Sequence, residues 1–134
     1  MDNLSKNDVP NKKLYEGVMD GDIKLVKSAI SKGADINTMY DEGKNSALML
    51  ALERNQNEIA KYLVSKGTDV NAKNSGWTCL MIAAFFGNEE IVKLLLSKGA
   101  DMAVKNYANE TALSWAEKNS HPKIAELLKK HGAK

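Results

Sequence analysis

The sequence predicts an all-α fold, a solenoid of short helix-turn-helix units joined by hairpin-like loops. The first observation is that the glycines that close apolar runs recur about every 33 residues, at Gly33, Gly67, Gly99 and Gly132. The second is that other residue types keep the same step, namely Leu48, Leu80 and Leu113, then Ala51, Ala83 and Ala116, then Asp35, Asp69 and Asp101. A unit of this length cannot bury its apolar face alone, so the units are expected to stack.

The clearest copy of the unit, residues 74–105, shows why each part should form. Thr78 precedes an apolar run and is a good N-cap, because its hydroxyl can accept a hydrogen bond from a free amide of the first turn. Leu80 and Ala83 share one face of the helix that follows, and the alanine permits close approach of a second helix. Gly87 then ends this first helix.

The second helix of the unit has equally clear start and stop signals. Glu90 places negative charge in its first turn, where the helix dipole favours it, and Ile91 and Leu94 supply a buried stripe. Gly99 can adopt the left-handed conformation that closes the helix. The turn residues 74–76 predict an extended, hairpin-like crossing to the next unit.

These motifs resemble the ankyrin repeat family, whose unit is a hairpin loop followed by two antiparallel helices. The resemblance covers about residues 12–134 and is carried by the segments 76–84, 90–96 and 99–101. The proline and histidine that usually follow the capping threonine are replaced here, by Ala47 and Met49, Cys79 and Met81, and Ala112 and Ser114. The resemblance therefore implies loop-to-helix junctions that are less rigid than is usual in the family.

The unit boundaries follow from this pattern. Residues 1–11 are polar and end near Pro10, which predicts a mobile tail before a single domain over 12–134. The predicted repeats are 12–40, an N-terminal cap; 41–73, with one extra loop residue; 74–105; and 106–134. In the last repeat Asn109 stands where the others have a loop glycine, and Pro122 opens the final helix. A cap at each end is expected of a whole protein.

Composition narrows the class of protein. The chain has 134 residues, 43% of them hydrophobic, a formal net charge of +2 and one cysteine. One cysteine excludes an internal disulfide, and the polar N-terminus has no secretory h-region, so a cytoplasmic location is expected. No apolar segment is long enough to cross a bilayer, and we expect a monomer.

The sequence contains no motif that predicts catalysis, so we expect no enzyme, no cofactor and no metal. His121 and His131 fall at a helix start and a helix end, where they are expected to act as polar or dipole-pairing residues. Cys79 follows a helix cap and is expected to be a buried structural thiol. The repeated aspartates are one repeat apart, so turn hydrogen bonding is favoured over a shared calcium ion.

Lysines recur on the second helices, at Lys27, Lys61 and Lys93 and at Lys32, Lys66 and Lys98. Such columns leave open an alternative function, the binding of nucleic acid or another polyanion through the convex face. Acidic residues on the same helices and the absence of interleaved aromatic residues favour a solvated face instead.

The favoured function is that of a non-catalytic protein-protein interaction module, acting as scaffold, adaptor or inhibitor. Loop tips and the exposed side of each first helix form a concave groove in the family, which the resemblance implies is the partner surface. The corresponding residues here are Tyr40, Glu42, Lys44, Glu53, Arg54, Ser75, Trp77, Phe85, Phe86, Tyr107, Glu110, Trp115 and Lys118.

The aromatic residues in this set allow two interpretations. Trp77, Phe85 and Phe86 lie in one repeat, and Trp115 lies on the first helix of the next. They could pack together and tighten the junction between the last two repeats. They could instead form a binding hot spot, in which large apolar anchors are surrounded by polar residues, and this interpretation is favoured.

Overall fold

The computed structural model describes residues 8–134 and contains eight α-helices within that range. They are α1 Asp8–Asp20, α2 Ile23–Ser31, α3 Ala47–Glu53, α4 Asn57–Ser65, α5 Cys79–Phe86, α6 Glu89–Ser97, α7 Ala112–Lys118 and α8 Pro122–Lys130. Four strands of two residues each accompany them: β1 Met39–Tyr40, β2 Asn45–Ser46, β3 Lys73–Asn74 and β4 Trp77–Thr78. The predicted all-α class is confirmed.

The helices belong to two compact units, the first extending to Thr68 and the second spanning Asp69–Lys134. In the first unit, α1 packs against α2 and α3, and α4 packs against α2 and α3. In the second unit, α5 packs against α6 and α7, and α8 packs against α6 and α7. Each unit is thus a stack of two helix pairs, as the repeat pattern predicts. The single domain over 12–134 stays a prediction.

The first helices begin at the predicted capping residues. Ser46, Thr78 and Thr111 each accept a hydrogen bond from the backbone amide three residues on, at 3.2, 3.2 and 3.1 Å. At the fourth junction, Ser114 Oγ also accepts from the Thr111 amide at 2.8 Å, which completes a capping box. Ser114 stands where the family usually has histidine, and its hydroxyl supplies this extra hydrogen bond. The loop-to-helix junction at Thr111 is therefore held by more bonds than the resemblance implies.

Large apolar side chains fill the interior of each unit. In the first unit the fully buried side chains include Leu14, Val18, Leu48, Met49, Ile59 and Leu63; in the second they include Leu80, Met81, Ile91, Leu95 and Leu128. The alanines on the first helices are buried as well, which allows the close helix approach that the sequence predicts. Cys79 is completely buried, so the expectation of a buried thiol is confirmed.

The predicted tail boundary at residue 11 was wrong, because α1 already begins at Asp8. Pro10 lies in the first turn of this helix, where its missing amide leaves no hydrogen bond unmade. Asn11 is anchored: its side-chain oxygen accepts from the Asp35 amide at 2.7 Å, and its carbonyl accepts from the Tyr40 hydroxyl at 2.8 Å. The rest of the predicted tail, residues 1–7, lies outside the described residues.

The repeated aspartates have the turn-forming role that their positions predict. Asp35, Asp69 and Asp101 each accept a hydrogen bond at 2.9 Å from the backbone amide two residues on. In the second unit, Asn71 adds two bonds, accepting from the Asp101 amide at 2.9 Å and donating to the Gly99 carbonyl at 3.3 Å. These bonds hold the start of one loop beside the end of a helix in the neighbouring repeat.

The loops differ between repeats. The β1–β2 and β3–β4 pairs are antiparallel, and the second is closed by Ser75 and Gly76, both with positive φ (52° and 85°). The 106–111 loop is instead closed by hydrogen bonds between the backbone of Asn106 and that of Glu110 and Asn109. Asn109 has φ 63°, so the predicted replacement of a loop glycine by asparagine is confirmed.

Alanine at Gly87 should destabilise the chain more than alanine at Gly99. Both glycines have positive φ, 74° and 84°. A Cβ at Gly87 would lie 2.5 Å from the His121 ring, whereas a Cβ at Gly99 would meet nothing within 4 Å. We expect Gly99→Ala to cost about 1 kcal/mol, and Gly87→Ala to cost about 1–2 kcal/mol more because the ring must move. Urea unfolding of the two variants measures the difference, and equal losses would contradict the close approach.

Candidate functional site

Four aromatic rings of the second unit form one cluster, which we call the aromatic cluster: Trp77, Phe85, Phe86 and Trp115. The ring centroids of Phe85 lie 5.0 Å from those of both Phe86 and Trp115, and 6.0 Å from that of Trp77, all with edge-to-face geometry. The two indoles lie 5.1 Å apart at an interplanar angle of 34°. Such offset and T-shaped contacts suit the charge distribution of aromatic rings.

The cluster is packed together without being enclosed. Trp77, Phe85 and Trp115 are half-buried, and Phe86 is 54% exposed. The interpretation in which the rings pack at the junction between the last two repeats is therefore correct for their mutual contacts. It leaves an aromatic edge in solvent. Tyr107, on the neighbouring loop, is 88% exposed.

The turn between α7 and α8 holds the end of α5, and with it the aromatic cluster. The Phe85 carbonyl accepts hydrogen bonds from Asn119 Nδ2 at 2.9 Å and from His121 Nε2 at 3.2 Å. Because a carbonyl only accepts, Nε2 of this histidine carries a proton. His121 is the N-cap residue of α8 but makes no side-chain cap bond, so its role differs from the expected one. His131 Nδ1 lies 2.9 Å from the Leu127 carbonyl at a helix end, as predicted.

A polar network borders the cluster at Trp115. The Lys118 ammonium lies 4.9 Å from the Trp115 ring centroid and 2.8 Å from a Glu110 carboxylate oxygen. The other oxygen of Glu110 accepts from Asn106 Nδ2 at 3.0 Å. Hydrogen bonds from Lys118 and then from Asn106 lower the pKa of the Glu110 carboxyl below its ordinary value. The carboxylate, the ammonium and the indole therefore form one charge-compensated group.

The Trp115 indole is incompletely satisfied. Its Nε1 is buried and has no hydrogen-bond partner among the described residues. The ring thus contacts two other rings and a cation while its donor remains unused. A buried donor without an acceptor carries a desolvation cost of about 1–3 kcal/mol.

Tyr40, one of the predicted site residues in the first unit, makes contacts that join α1 to the first loop. Its hydroxyl donates to the Asn11 carbonyl, and its ring lies 5.1 Å from that of Tyr15. Burial, and secondly the negative charge of Asp35, raises the pKa of the Tyr40 hydroxyl. The expectation that Tyr40 belongs to a partner surface is therefore weakened by its contacts, which hold α1 against the first loop.

The other predicted site residues of the first unit are exposed: Glu42, Lys44, Glu53 and Arg54. Arg54 Nε donates to the Met19 sulfur at 3.1 Å. Although Glu53 is exposed as a residue, partial desolvation of its carboxyl, followed by the charge of Asp41, raises the pKa of that carboxyl, while Arg54 opposes this shift. In the second unit, Ser75 is exposed at the hairpin turn.

Three residues position the cluster in ways that were not predicted from the sequence. Asn106 donates to Glu110, and Asn119 and His121 donate to the Phe85 carbonyl. Asn106 is only 7% exposed, and its Oδ1 accepts from the amides of Ala108 and Glu110 at 3.0 and 2.9 Å. An asparagine two residues before an amide that needs an acceptor is a recognisable turn signal. The bonds of Asn119 and His121 join residues 34 and 36 positions apart, for which the sequence offers no signal.

Three of the lysines on or at the ends of the second helices contact neighbouring side chains. Lys27 and Lys66 lie over the Tyr62 ring, at 5.3 and 5.5 Å from its centroid. Lys93 pairs with Glu89 at 3.0 Å, and this ion pair lowers the pKa of the Glu89 carboxyl. These contacts favour the solvated-face interpretation over a polyanion site.

No group of three or more His, Cys, Asp or Glu side chains within residues 8–134 is arranged to hold a metal ion. None of the helices in the same range is both long enough and apolar enough to span a membrane.

Comparison with known proteins identifies the same family that the sequence motifs resemble. A family model for ankyrin repeats, in three copies, matches residues 14–106. M-phase phosphoprotein 8 of Mus musculus is 32% identical over 82 residues, which is 60% of this chain and 10% of that protein. Protein phosphatase 1 regulatory subunit 27 of Homo sapiens is 38% identical over 61 residues, 46% of this chain and 39% of that protein.

A third relative is the ankyrin repeat and KH domain-containing protein CBG24701 of Caenorhabditis briggsae, 35% identical over 62 residues. These residues make up 46% of this chain and 2% of that protein. The chain thus matches well under half the length of each of these relatives. Since the family model covers most of its residues, the chain belongs to the ankyrin repeat family.

Alanine substitution of two cluster residues should show, from the loss of unfolding free energy, which ring contributes to the core and which is mainly exposed. Trp77→Ala removes a half-buried ring with two aromatic neighbours and should cost about 2–3 kcal/mol of unfolding free energy. Phe86→Ala removes a largely exposed ring with one such neighbour and should cost less than about 1 kcal/mol. Urea unfolding compares the two. A loss at Phe86 as large as that at Trp77 would show that Phe86 is part of the core.

Removal of the Lys118 ammonium should raise the pKa of the Glu110 carboxyl. Because that pKa is lowered in the folded state, the stability it contributes is present above the unfolded pKa and is lost as pH falls through the folded one. In Lys118→Met most of this pH dependence should disappear. Carbon-13 NMR titration of the glutamate carboxyls measures the pKa, with Lys123→Met as the control. An unchanged Glu110 titration in Lys118→Met would rule out the pairing.

Proposed function

We propose that this ankyrin repeat chain is a non-catalytic module that binds a protein partner through the aromatic cluster, as a scaffold, adaptor or inhibitor. Ankyrin repeats generally mediate protein-protein interactions. The observation that carries the proposal is Phe86, whose ring is 54% exposed at the edge of a group of mutually packed rings. Large aromatic anchors that are already ordered bind with a small loss of conformational entropy.

The polar border supports the same function. Glu110 and Lys118 flank Trp115, and they are joined to each other before any partner arrives. Apolar anchors beside polar groups are typical of interface hot spots, where the surrounding residues exclude water from the centre. Tyr107 and Ser75, both exposed on the adjacent loops, are proposed as further contacts.

In the first unit, taken by itself, we propose Glu42, Lys44, Glu53 and Arg54 as partner contacts, because all four side chains are exposed. One relative is named as a regulatory subunit of a phosphatase, and a regulatory role without catalysis is the form of activity proposed here. The proposed setting is a monomer in the cytoplasm, which suits a chain whose one cysteine is buried.

A pair of matched variants tests the binding function. Phe86→Ser removes the exposed ring, and Val9→Ser removes an apolar side chain of similar exposure, 51%, in the first unit. The unaltered chain and Val9→Ser should capture the same proteins from an extract of the source cells. Phe86→Ser should capture about tenfold less of each of them. Quantitative mass spectrometry measures the depletion. Identical capture by both variants would remove the aromatic cluster from the proposed site.

A further inference from the structure

Arg54 is the single arginine of the chain and lies in the first unit. It directly follows α3, and the residue is exposed. Its Nε donates a hydrogen bond at 3.1 Å to the sulfur of Met19, in the last turn of α1. A thioether is a weak acceptor without charge, so this bond orients the guanidinium but leaves its positive charge uncompensated.

The end of this guanidinium is available to a ligand. An arginine side chain has five N–H donors, and Met19 engages the one on Nε. Within residues 8–134 no carboxylate forms an ion pair with Arg54, although Glu53 precedes it directly. Water can solvate the exposed Nη groups in the unbound chain, and a ligand that replaces this water requires no movement of the chain.

The shape of a guanidinium favours a planar acidic ligand. Two parallel N–H groups at its end match the two oxygens of a carboxylate, which gives short, charge-assisted and directional hydrogen bonds. An ammonium such as that of Lys44, on the same predicted surface, is a point charge and does not impose this geometry. A carboxylate is therefore the group that Arg54 distinguishes from other polar groups.

The charges beside Arg54 limit how acidic the ligand can be. Partial desolvation, and then the charge of Asp41, raise the pKa of the Glu53 carboxyl, while Arg54 opposes the shift. Glu53 thus senses both neighbours, so negative charge is already present next to the guanidinium. A run of acidic residues, or a phosphate with nearly two negative charges, is repelled more strongly than one carboxylate.

We propose that Arg54 is a specificity-determining contact of the first unit, whose two Nη groups bind one isolated aspartate or glutamate side chain of the partner protein. Met19 is its positioning residue, because its sulfur holds Nε and leaves the Nη groups for the ligand. This inference rests on the proposed function and deepens it by naming the chemistry of one contact.

The experiment pans a phage library of random dodecapeptides on the full chain and measures the affinity of the selected synthetic peptides. Arg54→Gln removes the charge, and Arg54→Lys keeps the charge without the planar fork. Lys44→Gln is the matched control, because it removes another exposed positive charge from the same predicted surface. Urea unfolding establishes that each variant is folded under the conditions of the binding assay.

We expect the selected peptides to share one Asp or Glu position. Replacing that residue by its amide should weaken binding about tenfold, and Arg54→Gln should weaken it by a similar factor. Both changes together should cost little more than either alone, because they remove the same interaction. Arg54→Lys should restore only part of the affinity, and Lys44→Gln should change it less than about twofold.

Met19→Leu tests the positioning role, because leucine keeps the apolar volume and lacks the sulfur acceptor. Since the chain has one arginine, its Nε–H gives one arginine side-chain signal in a proton–nitrogen NMR spectrum. That signal should shift in Met19→Leu, and the affinity for the selected peptides should fall roughly two- to threefold. An unchanged signal with unchanged affinity would overturn the role of Met19.

Three results would overturn the carboxylate contact itself: selected peptides without a shared acidic residue, additive losses from the two changes, or equal losses in Arg54→Gln and Lys44→Gln. The Phe86→Ser variant separates this inference from the proposed function. Peptides that lose affinity in Phe86→Ser but not in Arg54→Gln would leave the aromatic cluster as a protein-binding site. Peptides that bind both variants as well as the unaltered chain would overturn both proposals.

Discussion

The second unit depends on how α5 ends. The helix stops at Gly87 in the left-handed conformation, and the His121 ring occupies the space that a side chain there would fill. The same histidine and Asn119 also donate hydrogen bonds to the Phe85 carbonyl, in the last turn of the helix. One backbone position thus joins two consecutive repeats. Since these contacts fix the last turn of α5 against the α7–α8 turn, they also fix the backbone from which the Phe85 and Phe86 rings project.

Local chemistry explains what could be predicted from the sequence. The capping residue Thr78, the turn-forming Asp101 and the left-handed Asn109 each act within three residues of their own position, so the chain around them shows their roles. The helix pairs follow from apolar periodicity and from the step of about 33 residues. Each of these features is encoded beside the residue that performs it.

What could not be predicted depends on contacts between distant positions. Asn11 was placed in a tail because its neighbours are polar, yet its two bonds go to Asp35 and Tyr40. The same contacts give Tyr40, predicted as a partner residue, a structural role that its sequence position does not indicate. In the aromatic cluster, sequence position allowed either packing or exposure, and only the ring geometry shows that the rings pack together while Phe86 keeps an exposed edge.

The contacts of three lysines show why a small positive net charge does not by itself predict an anion site. Lys27 and Lys66 lie over Tyr62, and Lys118 lies over Trp115 while it pairs with Glu110. In each case the ammonium group interacts with the negative face of a ring in its own unit. Its positive charge is therefore partly compensated before any ligand approaches. The same arrangement lets the stem of the lysine cover apolar surface that would otherwise meet water. Contacts of this kind lower the positive potential that these three lysines offer to an anion, so lysine positions in the sequence alone overstate it.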